Sequence, residues 1–355
     1  MISPYSLSVP GGVQGQILGL ARALRARGEP VRVLGPCDGP PPETFVTPLG
    51  NCVPTGANGS VVPLAPDPAA QLRTIRALRD EEFDVLHLHE PLAPGPTMTA
   101  LFVRPAPIVG TFHRAGASLA YDIFRPMTSR GARRIDLRFA VSDDAEALAV
   151  QALGGTYERS FNGIEISRFQ PKRRLPTEGP TVFFLARHEE RKGLAVLLSA
   201  FENLAGDCRL WVGGQGPETE VLKNRFGSDT RISWLGQIDD DEKVERMASA
   251  DVFCAPSLHG ESFGIVLLEA MAAGTVAVAS DIAGYSKVTR AGRDGALFPA
   301  GDAEALSTTL RHLLFDESAR RKFESNGADR VREFSMARLA DLYLSAYRRA
   351  IAAHG

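Results

Sequence analysis

Short apolar runs recur along the chain, spaced so that a helix fits between each and the next: "VRVLGP" from Val31, "DVLHLH" from Asp84, "PIVGTF" from Pro107 and "RFAVS" from Arg138, then "TVFFLAR" from Thr181, "RLWVGG" from Arg209, "ISWLG" from Ile232, "DVFCAPS" from Asp251 and "VAVAS" from Val276. They are rich in β-branched residues and almost continuously apolar, as strands become when helices cover both faces of a sheet. Alternation of such runs with helical periodicity predicts an α/β protein with parallel sheets. The rhythm breaks at "FNGIEISRFQPKRRLPTEGPTVFF", where Pro171, Pro176, Gly179 and Pro180 flank a basic, non-periodic stretch. That break predicts a linker between two doubly wound domains, 1–168 and 169–335, with the final helix "SMARLADLYLSAYRRAIAAHG" crossing back onto the first. The Pro- and Gly-rich segment from Gly35 to Pro68 is expected to be a plain connection.

The opening of the chain departs from this plan. A doubly wound domain begins with a buried strand of about five residues, yet only Met1 and Ile2 precede "SPYS". Either this strand is abbreviated or the chain begins late. The helix that follows, within "YSLSVPGGVQGQILGLARAL", is entered through Gly11 and Gly12. A helix start offers unpaired N–H groups and a positive dipole end, and glycines let a phosphate approach the backbone. The same pair equally suits a turn that needs a positive φ. It is not GxGxxG, which argues against a dinucleotide-dependent oxidoreductase.

Composition narrows the class. With 355 residues, 44% of them hydrophobic, the chain suits two domains of ordinary size. No run approaches the ~20 apolar residues that span a bilayer and no signal peptide is visible, so a cytoplasmic location is expected. Cys37, Cys52, Cys208 and Cys254 are scattered without a CxxC pair; small buried thiols are expected, not a disulfide framework or a zinc site. A net charge of −2 supplies no global field for nucleic acid.

Three stretches carry candidate chemistry. In "FLARHEERKGLAVLLSAF", Arg187 ends a strand while Arg191 and Lys192 precede a helix; ligands bind at such strand ends, and cations there suit a diphosphate, although a solvated charged loop has the same composition. In "PSLHGESFGIVLLEAMAAGTVAVAS", a helix starting near Phe263 sets Glu269 about two turns below Glu261, one carboxylate for a sugar hydroxyl and the other for a ribose. Helix capping by Glu261 and Ser262 is the competing explanation. His113 ends the strand "IVGTFH", a position that favours a site over a core role.

These residues, together with "PYSLSVPGGVQ", "FDVLHLHEP", "FNGIEISRF" and "LGQIDDDEK", resemble the signature of the retaining, nucleotide-sugar-dependent glycosyltransferases of family four, which have the GT-B fold of two Rossmann-like domains facing across a cleft. The resemblance spans nearly the whole chain and is particularly similar to actinobacterial members that mannosylate phosphatidylinositol. It implies that Gly11 and Gly12 approach the donor diphosphate or sugar and that Arg187 and Lys192 neutralise the leaving diphosphate. Glu261 would hold hydroxyls of the transferred sugar within a donor-binding stretch completed by Ser262, Phe263, Gly264 and Ile265, and Glu269 would accept from the ribose. His113 matches a histidine near the reacting sugar carbon, while Asp239 and Lys243 would meet a guanine. The donor substrate implied is GDP-mannose, with no cofactor and no essential metal, although Asp239, Asp240 and Asp241 look like the DxD metal motif of another glycosyltransferase fold. Retention would proceed by same-face substitution through an oxocarbenium-like state, the leaving phosphate helping to deprotonate the acceptor.

For the acceptor, Tyr5 and the helix "AAQLRTIRALRDEEFD" with Arg73, Arg76 and Arg79 point to an anionic lipid and membrane surface on the inner face of the plasma membrane; a solvated helix face is the competing explanation. The stretch "RAGASLAYDIFRPMTSRGARRID" departs from the Thr- and Ser-rich segment expected in those relatives. Another GDP- or UDP-sugar with a different lipid or polyol acceptor, and an inactive sugar-nucleotide-binding paralogue, stand as alternatives.

Overall fold

The protein is described from a computed structural model that covers every residue except Pro10, Asn58, Gly59, Pro66, 114–129, Ala205, Ser262 and Gly355, with 53–64 described by backbone alone. The chain divides into two compact units, Met1–Gly163 with Met336–Gly355, and Ile164–Ser335.

In the first unit, β1 (Val33–Gly35) pairs in parallel with β2 (Val46–Pro48), and an antiparallel hairpin of β3 (Val53–Ala57) and β4 (Ser60–Leu64) follows. A parallel set then runs β5 (Leu86–His89), β6 (Ile108–Phe112), β7 (Leu137–Ala140) and β8 (Glu158–Arg159) in that order. What joins the two sets is the short stretch at the start of the sequence: Ile2 bridges Leu34 on one side and Leu88 on the other. Its N–H donates to the His87 carbonyl at 2.8 Å, and the His89 N–H donates to its carbonyl at 3.1 Å. Short as it is, this strand occupies the centre of the sheet and is fully buried. The segment from Gly35 to Pro68 is thus not a plain connection, since it contains β2, β3 and β4. The dipeptide Asn58-Gly59, a hairpin-turn sequence, was the available signal.

Helices cover both faces. Val33, Val109 and Phe139 face the helices Gly12–Arg25 and Met336–His354, while Leu34, Leu86, Leu88 and Ile108 face the helices Pro68–Asp80 and Pro96–Val103. The final helix buries Met336, Leu339, Ala340, Tyr343, Ala346 and Ala350, a stripe at helical spacing. Arg27 secures it, donating to Asp341 at 2.8 Å and to the Ala337 carbonyl at 2.6 Å.

The second unit is an all-parallel sheet of β9 (Thr181–Leu185), β10 (Arg209–Gly213), β11 (Ile232–Gly236), β12 (Val252–Ala255), β13 (Val276–Ser280) and β14 (Ala296–Phe298) in the order β11-β10-β9-β12-β13-β14. This is the doubly wound order in which the topology reverses between the first and fourth strands, β9 and β12. The unit begins at Ile164, upstream of the boundary expected from the sequence, because Ile164 and Phe169 lie in its core. The basic stretch is likewise no free linker. Lys172 and Arg173 pair with Asp241 and Glu245, and Arg174 donates to the Ala248 carbonyl, which lays the stretch along the acidic helix Asp240–Ser249. Among the cysteines, Cys37, Cys208 and Cys254 are buried and Cys52 is partly buried.

Candidate functional site

At the reversal between β9 and β12, the loops leaving both strands meet. After β9, the Arg187 guanidinium projects two-thirds exposed and contacts Glu189 at 3.0 Å; the other Glu189 oxygen takes Arg191 Nε, also at 3.0 Å. A single 3-10 turn, Glu190–Lys192, carries the chain to Gly193. That glycine has φ +69°, and a Cβ on it would lie 1.9 Å from the Pro256 carbonyl oxygen of the loop after β12. The close approach sets Arg191 Nη1 3.3 Å from Glu261 Oε1 and brings the Lys192 ammonium into a direct ion pair with the same oxygen. Ser257, hydrogen-bonded to Tyr285, approaches that oxygen at 3.5 Å.

Two helices start here without a side-chain cap, Leu194–Glu202 after Gly193 and Ile265–Ala272 after Gly264. Their first N–H groups are therefore the donors that a helix start offers to an anion. Gly264 sits at φ +82°, and a Cβ there would come 2.6 Å from the Tyr285 ring. The helix begins at Ile265, not near Phe263, so Glu261 lies in the loop ahead of it and the two carboxylates are not stacked along one helix. The left-handed Gly264 forces the delay. Glu269, inside the helix, faces Lys243 at 3.5 Å, and burial pushes its carboxyl above the usual range against the pull of that ammonium. Phe263 packs edge-on against Phe334, so its ring belongs to the fold of this unit. Ser262 lies outside the described residues.

The three aspartates do not act together. Asp239 caps the helix Asp240–Ser249 by accepting from the Glu242 N–H at 2.8 Å; Asp240 pairs with Lys243 at 3.4 Å, and Asp241 with Lys172. Asp239 therefore spends one carboxylate oxygen on structure, a role the sequence assignment to a nucleobase overlooked. Sequence reasoning also missed an open pocket of about 790 Å³ beside Arg187, lined by Gln215, Gly216, Thr219, Lys223 and Gln237. Its floor is organised by buried His188, whose ring bridges Thr219 at 2.8 Å and the Gly213 carbonyl at 3.3 Å. The signal was the glycine-rich "VGGQGP" after β10.

In the first unit, Gly11 has extended backbone, φ −173°, and caps the helix that starts at Gly12. Neither glycine needs a positive φ, and a Cβ on either would meet nothing within 4 Å among the described residues. What they leave bare is surface above a helix start. His113 follows β6 and takes Glu90 Oε1 on its backbone N–H at 2.5 Å; its ring nitrogen Nε2 lies 2.9 Å from His89 Nδ1. Burial lowers its pKa to about 4, against a hydrogen bond to Asn162 that raises it. Tyr5 is partly buried, its backbone tied at both ends to the Ser3 hydroxyl. On the helix Pro68–Asp80, Ala70, Thr74 and Leu78 face inward, while Arg76, Arg79 and the two-thirds exposed Leu72 share the outward face. Arg73 flanks that face and reaches back to the Leu49 carbonyl at 3.3 Å. The stretch that departs from the Thr- and Ser-rich pattern falls largely on 114–129, outside the described residues.

Two sequence families match the chain: one described as Glycosyltransferase Family 4 over residues 10–168, and one as Glycosyl transferases group 1 over 165–330. A phosphatidyl-myo-inositol mannosyltransferase of Mycobacterium leprae is 43% identical over 98% of this chain and 95% of its own length. Among solved structures, sucrose-phosphate synthase of Thermosynechococcus elongatus aligns with a TM-score of 0.73 at 22% identity, covering 99% of this chain and 96% of that one. Anabaena HepE in complex with UDP and glucose aligns at 0.71 with 18% identity, covering 98% of each chain. Both share the fold of paired Rossmann-like domains.

Proposed function

Because this chain belongs to the family-four glycosyltransferases of GT-B fold, retaining enzymes that transfer a hexose, and sits among the mannosyltransferases there, we propose that it moves mannose from GDP-mannose to phosphatidylinositol at the cytoplasmic face of a membrane. The observation that carries the proposal is the meeting of Arg191 and Lys192 at Glu261, between two uncapped helix starts. Two cations share one carboxylate there, and Arg187 stands exposed beside them. A nucleoside diphosphate entering this place would find cations and helix N–H groups already oriented. As the bond from sugar to phosphate breaks, negative charge grows on the diphosphate, and groups fixed in advance stabilise it without reorganising.

Glu261 then has two roles in sequence. Before donor binds it keeps the cations in place; once the diphosphate takes them over, its oxygens are free for hydroxyls of the sugar. Glu269 and Lys243 supply a paired carboxylate and ammonium for the nucleoside. Retention follows from attack on the face the diphosphate leaves, with a phosphate oxygen taking the proton of the acceptor hydroxyl, so no protein nucleophile is required. We assign charge balance to Arg187, Arg191 and Lys192 and no obligatory role to a metal ion; chelation by EDTA should leave turnover within about twofold if cations of the protein carry most of that stabilisation.

The membrane part of the proposal rests on Leu72, Arg76 and Arg79 facing outward together. Among the described residues no helix is long and apolar enough to cross a membrane, and this face offers an apolar anchor between cations for a peripheral contact. The direct test is transfer of labelled mannose from GDP-mannose to vesicles containing phosphatidylinositol, beside a thermal-shift series with GDP, UDP and ADP. Product on phosphatidylinositol with GDP as the stabilising nucleotide supports the proposal. Stabilisation by UDP alone, or label on a different acceptor, would replace the donor or acceptor while keeping the class of enzyme.

A further inference from the structure

Three histidines cluster at the carboxyl ends of β5 and β6, and the family resemblance gives a role near the sugar only to His113. His87 and His89 alternate with leucines on β5, so both rings project to the same face; they stack with centroids 4.2 Å apart, and His113 stacks on His89 at 5.2 Å. His87 and His89 are both buried. His89 Nδ1 meets His113 Nε2 at 2.9 Å, whereas His87 holds Tyr347 OH at 2.6 Å through Nδ1 and Thr111 Oγ1 at 2.8 Å through Nε2.

The protons in this cluster can be placed from one obligatory acceptor, the Ala140 carbonyl. Ser160 donates to it at 3.4 Å, and Tyr343 donates to Ser160 at 3.2 Å. The Tyr343 oxygen, 2.7 Å from Thr111 Oγ1, must then accept the threonine proton. Thr111 consequently accepts from His87 Nε2–H, which leaves His87 Nδ1 bare to accept from Tyr347. For His89, Nε2 is buried and has no partner among the described residues. An orphaned N–H is rarer in protein interiors than an unfilled acceptor, so the His89 proton sits on Nδ1 and points at His113 Nε2. His113 then carries its own proton on Nδ1, the remaining nitrogen of a neutral ring.

We propose that His89 is a positioning residue: by donating Nδ1–H to His113 Nε2 it holds His113 as the neutral Nδ1–H tautomer in one ring orientation, while Tyr347 and Tyr343 on the final helix anchor the stack through His87. The inference rests on His113 standing beside the transferred sugar. It gives that histidine a definite task. With Nε2 accepting from His89 and the proton on Nδ1, His113 has no free ring lone pair for the acceptor's proton, and it serves as a fixed, uncharged wall.

The test uses the full chain labelled with nitrogen-15 at histidine, the His113 signal being assigned by its loss in His113→Gln. Expected are a protonated Nδ1 and an unprotonated Nε2 from pH 6 to 8, and a rate of transfer without a histidine inflection over the same range. His89→Phe keeps the stacked ring but removes the donor; it should shift His113 toward the Nε2–H tautomer favoured by free imidazole and lower kcat about tenfold or more with little change in KM for the donor. His89→Asn, whose amide nitrogen can take the place of Nδ1, should restore most of the loss. A protonated Nε2 in the unmodified protein, or an unchanged His113 tautomer in folded His89→Phe, overturns the proposal. If the tautomers behave as expected but no nucleotide sugar supports transfer, the failure belongs to the enzymatic reading and the positioning stands.

Discussion

Lys192 owes its place to the residue after it. Gly193 ends the 3-10 turn in a left-handed conformation with the Pro256 carbonyl where a Cβ would be, so only glycine lets the ammonium reach Glu261. Gly193→Ala is expected to cost about 2 kcal/mol or more, measured by urea unfolding followed through tryptophan fluorescence. Lys192→Ala should leave that transition within about 1 kcal/mol, because Glu261 keeps Arg191 as partner, and should slow mannosyl transfer about 100- to 1000-fold. A folded Lys192→Ala with an ordinary rate would remove the ammonium from the mechanism. Arg187, Lys192 and Glu261 could be picked out in the sequence because charged residues beside glycines at strand ends are a local pattern. Glu189 bridging Arg187 to Arg191, and His89 holding His113, could not. Those contacts depend on side-chain direction and on residues brought together from separate strands.

The helix Pro68–Asp80 shows how an element sorts residues that look equivalent in sequence. Arg73, Arg76 and Arg79 share a spacing, yet Arg73 is drawn toward the Leu49 carbonyl while Arg76 and Arg79 flank Leu72 on the outer face. Replacing Arg76 and Arg79 by glutamate should weaken binding to anionic vesicles at least tenfold, each arginine being worth about 1 kcal/mol near such a surface, with GDP affinity unchanged. Arg73→Ala should have the smaller effect. Unaltered vesicle binding by the double variant would leave this face as solvated helix. The strands that the apolar runs predict are all present, but β2, β8 and β14 are too short to announce themselves, and the central strand at Ile2 is legible only through its two neighbours.

The two units carry different acid sensitivities. His113 is lowered to about 4, and burial holds His87 and His89 well below the ordinary 6.5; all three belong to the first unit, whereas the second has His188, lowered by burial. Such a histidine is neutral when folded and takes a proton when unfolded, so its contribution is complete above about pH 6.5 and is lost as pH falls toward 4, about 3 kcal/mol for His113. Both tryptophans, Trp211 and Trp234, lie in the second unit. At pH 5 the unfolding transition seen by circular dichroism should therefore begin before the one seen by tryptophan fluorescence, with the gap narrowing at pH 7.5; coincident transitions at both values would count against the histidine argument. Periodicity and glycine placement along the chain sufficed to specify two parallel α/β domains, the return of the last helix and the charged residues Arg187, Lys192 and Glu261 at strand ends, since strand period, helix stripe and turn chemistry are all local. Folding alone settled where Glu261 stands relative to its helix, that the basic stretch after Phe169 lies docked on an acidic helix, and that three histidines and two tyrosines form one network around buried His87, His89 and Tyr343. Each of these depends on partners far apart in the chain, whose distances and proton positions exist only once the sheets have assembled.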